Sequence, residues 1–213
     1  MITERDKVLL AKKGISEDKL NTQLACFAKG FPYLRLAAAA STEKGILAPS
    51  HEEVDKYLEE WEAYTNNTAH RIVKFVPASG AASRMFKNMF AFVDADYTTP
   101  TTDFEKSFFN NIHKAAFYGD LDSACQRIYG KNIDELLSAN QYKEVVKAML
   151  DKEGLNYGAL PKGLLKFHKY ANGSRTPLEE HLVEGALYAR EKDGTVNIHF
   201  TVSTEHRALF EAL

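Results

Sequence analysis

At 213 residues the chain can form one large domain, or one domain with an appendage. With 45% hydrophobic and 26% charged residues it has an ordinary globular make-up, and a net charge of −2 without a long basic block lacks the footprint of nucleic-acid binding. The charged start (Ile2-Thr3-Glu4-Arg5-Asp6-Lys7) is no signal peptide, no apolar run approaches the ~20 residues of a membrane span, and Cys26 and Cys125 form neither a disulfide framework nor a zinc pattern. A cytoplasmic protein without membrane or nucleic-acid partners is expected.

Residues 1–68 read as an N-terminal helical region. Thr3 can cap a first helix that stops at Gly14. Ser16, followed by Glu17 and Asp18, caps a second, with Leu20, Leu24 and Phe27 on one face and Gly30 at its end. Ser50 and Glu53 form a capping box for a third. Its Val54, Tyr57, Leu58, Trp61 and Tyr64 make a stripe at helical spacing, the pattern of a helix packed on a core.

The most informative stretch follows. Ile72, Val73, Phe75 and Val76 predict a strand over 71–77, apolar enough to be covered on both faces as in a parallel sheet. It breaks into Ala78, Ser79, Gly80, Ala81, Ala82 and Ser83, then resumes as a helix over 83–95 with Met85, Phe86, Met89, Phe90 and Val93 in step. Strand, small-residue loop and helix can surround an anion with backbone N–H groups and a positive helix end, and Arg84 and Lys87 add charge there. The pattern reads as a phosphate cradle, although the G-K-[ST] ending of a P-loop and the G-x-G-x-x-G fingerprint are both absent. The plainer reading is that small residues let a helix pack close and Arg84 is a surface charge.

Residues 97–157 read as a helical insertion. Thr102 and Glu105 make a further capping box, Phe104, Phe108, Phe109 and Ile112 follow at helical spacing, and shorter helices are expected between Leu121 and Leu150. His113 has no partner at i+4 and reads as a packing or surface residue. After Leu160-Pro161-Lys162-Gly163-Leu164-Leu165 comes an Asn172-Gly173 turn, and Thr176-Pro177-Leu178-Glu179 opens a helix with cap, proline and capping-box glutamate. Val196, Ile198, Phe200 and Val202 alternate as a half-exposed strand that leaves His199 solvated, and Ser203 or Thr204 caps a last short helix. Two long strands are few for so many helices, so the sheet is expected to continue beyond Leu213 in a longer protein.

Two motifs carry a resemblance. Pro77-Ala78-Ser79-Gly80-Ala81-Ala82-Ser83-Arg84-Met85, and Pro161-Lys162-Gly163-Leu164-Leu165 followed by Thr176-Pro177-Leu178-Glu179-Glu180-His181, resemble the L-A-A-G-x-G-T-R-M and P-K-x-L-L…P-L-I-E-H stretches of GT-A-type nucleotidyltransferases. The resemblance implies an α/β fold: a truncated GT-A, Rossmann-like core over 69–213 with parallel strands, interrupted by the helical insertion. It implies that Ala78, Ser79, Gly80, Ala81, Ala82 and Ser83 surround the base and triphosphate. Arg84 would stabilise the β- and γ-phosphates and Lys162 would reach the α-phosphate. Ala82 stands where that family has a second glycine. The family's metal-binding acidic pair lies on a later strand, so Mg2+ is expected for a longer protein only and no metal ligand is assigned here. Over nearly its whole length the chain also resembles a bacterial family, domain of unknown function 4301, through Gly30-Phe31-Pro32, the Ala37–Ala40 run and Lys74 to Lys87.

The expected function is therefore that of an NTP-binding, nucleotidyltransferase-like protein acting on a phosphorylated sugar or similar small molecule as phosphate acceptor, in a chain able to form homo-oligomers. The alternative is a non-catalytic binding or interaction protein that retains the fold. The first predicts that Arg84 and Lys162 converge on one pocket. The second predicts that they diverge, or that Phe or Met side chains fill the space.

Overall fold

A computed structural model describes residues 2–78 and 80–213. The chain divides into two compact units, Met1–Val54 and Asp55–Leu213.

The first unit carries α1 (Glu4–Lys12) and α2 (Glu17–Lys29). Thr3 caps α1 and Asp6 closes the box, its carboxylate accepting the Thr3 N–H at 2.9 Å. Ser16 caps α2 through the Lys19 N–H. Gly14 and Gly30 follow the two helices with φ of +65° and +78°, conformations that cost glycine little. Neither helix buries a residue, and Leu24 and Phe27 stand exposed.

Helix α3 (His51–Thr65) crosses the boundary and begins with the expected Ser50–Glu53 box. Its aromatic stripe corrects the sequence reading. Val54, Tyr57, Leu58, Trp61 and Tyr64 are all exposed, Trp61 by 42%. Periodicity shows that a helix has an apolar face, not that anything lies on it.

The second unit opens with β1 (Val73–Pro77). There follow α4 (Lys87–Asp94), α5 (Asp103–Asn111) with a 3-10 turn at Ile112–Lys114, α6 (Tyr118–Tyr129), α7 (Ile133–Ser138) and α8 (Tyr142–Leu150). A 3-10 turn at Lys162–Leu164 leads to a hairpin, β2 (His168–Tyr170) and β3 (Gly173–Arg175). Then come α9 (Pro177–Tyr188), β4 (Asn197–Thr201) and α10 (Arg207–Glu211).

The main hydrophobic core lies among α4 to α8, so the stretch expected as an insertion supplies most of it. Leu121, Ile133, Leu136, Val145 and Met149 are fully buried there. Phe92 packs edge-on against Phe109 at 5.8 Å between ring centroids, and Phe109 against Tyr142 at 4.9 Å, arrangements that add to plain area burial.

Strands β1 and β4 pair in parallel, with Val73 beside Asn197 through to Pro77 beside Thr201. The chain is thus mixed α/β, mainly helical, with a short two-stranded parallel sheet among the described residues. Helix α9 packs close on β4 at Gly185, where an added Cβ would lie 2.6 Å from Ile198 Cδ1. The sheet is covered on one face, not the two expected. Ile72 and Val76 are buried, whereas Val73, Phe75 and, beside it, His199 are exposed. Among the described residues no helix is long and apolar enough to cross a membrane.

Candidate functional site

The loop after β1 and the Pro161-Lys162 step meet. Ala81 and Pro161 form an isolated antiparallel bridge, and the Lys162 N–H donates to the Gly80 carbonyl at 3.0 Å. The Ala78 N–H is spent on the Thr201 carbonyl at 2.9 Å, which extends the β1–β4 pairing into the loop. These bonds place both motifs at the carboxyl ends of parallel strands, where open α/β sheets bind ligands.

A cavity of about 180 Å³ lies there. Val76, Pro77, Ala78 and Gly80 line it from the β1 side, and Phe200 from β4. Lys162 and Gly163 close it from the 3-10 turn, Pro177, Leu178 and His181 from α9, and Phe210 from α10. Its walls are mostly apolar, and Lys162, an exposed side chain, is the lysine or arginine among its described lining residues. A low-dielectric wall strengthens the field of such a cation. Sites for drug-sized ligands run to roughly 300–1,000 Å³, so this cavity has room for a small fragment only.

The expected site residues divide. Ala78, Gly80 and Lys162 line the cavity and Ala81 anchors its loop. Ala82 is buried in the hydrophobic core, so its small side chain serves packing. Ser83 and Arg84 are exposed in a turn, and Arg84 is not among the cavity-lining residues, so Arg84 and Lys162 do not converge on this pocket as the nucleotidyltransferase reading expects, and Phe200 and Phe210 stand in its wall. Ser79 lies outside the described residues. Helix α4 begins at Lys87, four residues later than the sequence suggested, so the helix end at the cavity is that of α9.

Sequence reasoning gave no role to His181. It lies on α9 three residues before Glu184, and its Nδ1 is 3.0 Å from Glu184 Oε2. The same oxygen accepts from Lys74 Nζ at 2.5 Å and from Tyr188 Oη at 3.1 Å, and Lys74 also bonds Tyr188 Oη. The Lys74 hydrogen bond, then that of His181, pulls the Glu184 carboxyl down to about 2. Burial works against charge on Lys74, but its bonds to Glu184 and Tyr188 hold it above its ordinary value. The sequence did carry a signal: histidine, glutamate and tyrosine at i, i+3 and i+7 share one helix face.

No group of three or more His, Cys, Asp or Glu among the described residues is placed to hold a metal ion, and no carboxylate lines the cavity. The nucleotidyltransferase resemblance implies Mg2+ for a longer protein only, and no described residue is assigned to it.

The fold and site define a mixed α/β protein with a small lysine- and histidine-bearing cavity at the carboxyl ends of two parallel strands. Residues 3–213 match the family model described as Domain of unknown function (DUF4301), and the chain belongs to that family. No curated protein and no solved structure matches it.

Proposed function

We propose that this cavity binds the phosphate portion of an NTP and that the protein is nucleotidyltransferase-like, of the GT-A type, transferring a nucleotidyl group to a sugar phosphate or similar small molecule. The observation that carries the reading is the Lys162 N–H···O=C Gly80 bond. It joins two motifs some eighty residues apart at the carboxyl ends of the two parallel strands, the end at which open α/β sheets commonly bind ligands. Nucleotidyl transfer needs mainly positioning and charge neutralisation, to which the Lys162 side chain can contribute, the Ala78 and Lys162 backbone N–H groups being engaged within the protein.

The test is a thermal-shift screen of the full chain against the four common NTPs supplied with magnesium. An NTP at a hundred times its Kd stabilises by about 2.7 kcal/mol, a rise of roughly 5–10 °C for a chain of this size. Lys162→Ala should weaken binding about ten- to a hundredfold, since a charged hydrogen bond contributes roughly 1.5–3 kcal/mol. Arg84→Ala should do less, because Arg84 lies outside the cavity lining. No shift with any NTP rejects the reading.

Two observations favour a second reading, a binding protein without chemistry: Arg84 stands outside the cavity that Lys162 lines, and the stripe on α3 is exposed. That reading predicts no NTP response and an association lost in Trp61→Ala.

A further inference from the structure

We infer that His181 is the proton-accepting catalytic residue of this cavity and that the acceptor it activates attacks through a hydroxyl. This rests on the nucleotidyl-transfer reading above and narrows its acceptor. A phosphate oxygen can attack an NTP without losing a proton, whereas a hydroxyl needs a base within reach.

The geometry is that of a held base. Histidine is the residue whose two ring nitrogens can divide such work between them. Nδ1 of His181 is engaged by Glu184, and Nε2 makes no hydrogen bond to the described residues. The ring lines the cavity and lies 6.3 Å, centroid to centroid, from Phe200 on β4. Glu184 is a positioning residue: accepting from Nδ1, its carboxylate favours the tautomer with the proton there and a lone pair on Nε2, on a residue that lines the cavity. Lys74 from β1 and Tyr188 from α9 hold that carboxylate in turn.

No other carboxylate of α9 competes for the role. Glu179 closes the capping box on Thr176, and Glu180 accepts from Tyr170 Oη at 2.7 Å and pairs with Arg175 at 3.6 Å. From the 3-10 turn, Lys162 is the charged residue that lines the cavity.

In the reaction, the acceptor oxygen bonds to the α-phosphorus as its proton passes to His181 Nε2. The bond from that phosphorus to the oxygen bridging to the β-phosphate breaks, and pyrophosphate leaves with the electron pair. Atoms and charge balance without a further reagent.

Long-range 1H–15N NMR of the imidazole rings in the full chain tests this. The His181 signal is identified by its loss in His181→Gln or, if that variant misfolds, by its contact with Phe200. At pH 8 the expected result is a proton on Nδ1 and a bare Nε2, with that preference lost in Glu184→Gln. Adding whichever NTP stabilises the chain should then shift Nε2 of His181 but leave the exposed His199 unmoved. A proton on Nε2, or a ring indifferent to an NTP that does stabilise the chain, overturns the inference while the binding reading stands. If no NTP stabilises the chain, the nucleotide reading fails and the reaction named here fails with it.

Discussion

Helices α3 and α5 carry the same kind of face and meet opposite fates. Each opens with a capping box, Ser50 with Glu53 and Thr102 with Glu105. Each then places large apolar residues at helical spacing. On α5 the face runs into the core: Phe109 is buried, as is Ile112 just beyond, and only Phe104 stays well exposed. On α3 none of five such residues is buried. An apolar stripe states what a helix can bury. Neighbours decide whether it does, and α5 has α4 and the 3-10 turn in contact with it.

The sharpest way to break this comparison is to truncate one ring from each region. Phe92 is fully buried between Phe109 and Tyr97, so Phe92→Ala should cost about 3–5 kcal/mol through lost burial and a cavity. Trp61→Ala on α3 should cost no more than about 0.5 kcal/mol. Urea midpoints measured at unchanged m-value check both, and a Trp61 cost near that of Phe92 would mean that α3 is covered in solution.

The next largest effect belongs to Gly154, after α8. An added Cβ would fall 1.7 Å from the Ala148 carbonyl oxygen, so the backbone itself must move. Gly154→Ala should destabilise by about 3 kcal/mol. Gly185→Ala, where α9 crosses β4, meets the end of the Ile198 side chain, which can turn aside, and should cost about 1 kcal/mol. A reversed order in thermal melts would place the tighter packing in the sheet rather than in the helical cluster.

A further effect, of about the size of Gly185→Ala, is electrostatic. Glu184 is held at about 2 in the folded chain against an ordinary 4.5, so its contribution to stability is full above about 4.5 and is lost as pH falls towards 2. Unscreened, that shift would amount to about 3 kcal/mol, but the side chain is 41% exposed and solvent leaves about 1 kcal/mol. Between pH 5 and 2.5, wild type should lose about that much more stability than Glu184→Gln, as read from urea melts at each pH. Equal losses would show that the Lys74 bond does not persist in solution.

Much of the second unit was legible. The strands over 71–77 and from Val196, the Thr102 and Thr176 caps, and the turn near Asn172 all appear, with β2 and β3 closing a hairpin of matched register at that turn. The start of α4 was misplaced because Ser83 to Phe86 continue the apolar spacing while their backbone forms turns. The Lys162 side of the cavity was legible as a motif. His181 was legible only as part of a helix face shared with Glu184 and Tyr188; its meaning depends on Lys74, 110 residues from Glu184, and on a wall supplied by Phe200 and Phe210.

What the sequence alone determined are features whose partners lie within about four residues. Caps, helix-ending glycines and strand alternation depend on backbone geometry that a short segment carries with it. Tertiary structure decided the rest: which apolar faces are buried, which face of the β1–β4 pair stays open, and which polar groups meet at the cavity. Those outcomes depend on contacts between segments many tens of residues apart. Local pattern limits such contacts but does not choose among them, because burial is a property of the neighbour as much as of the residue.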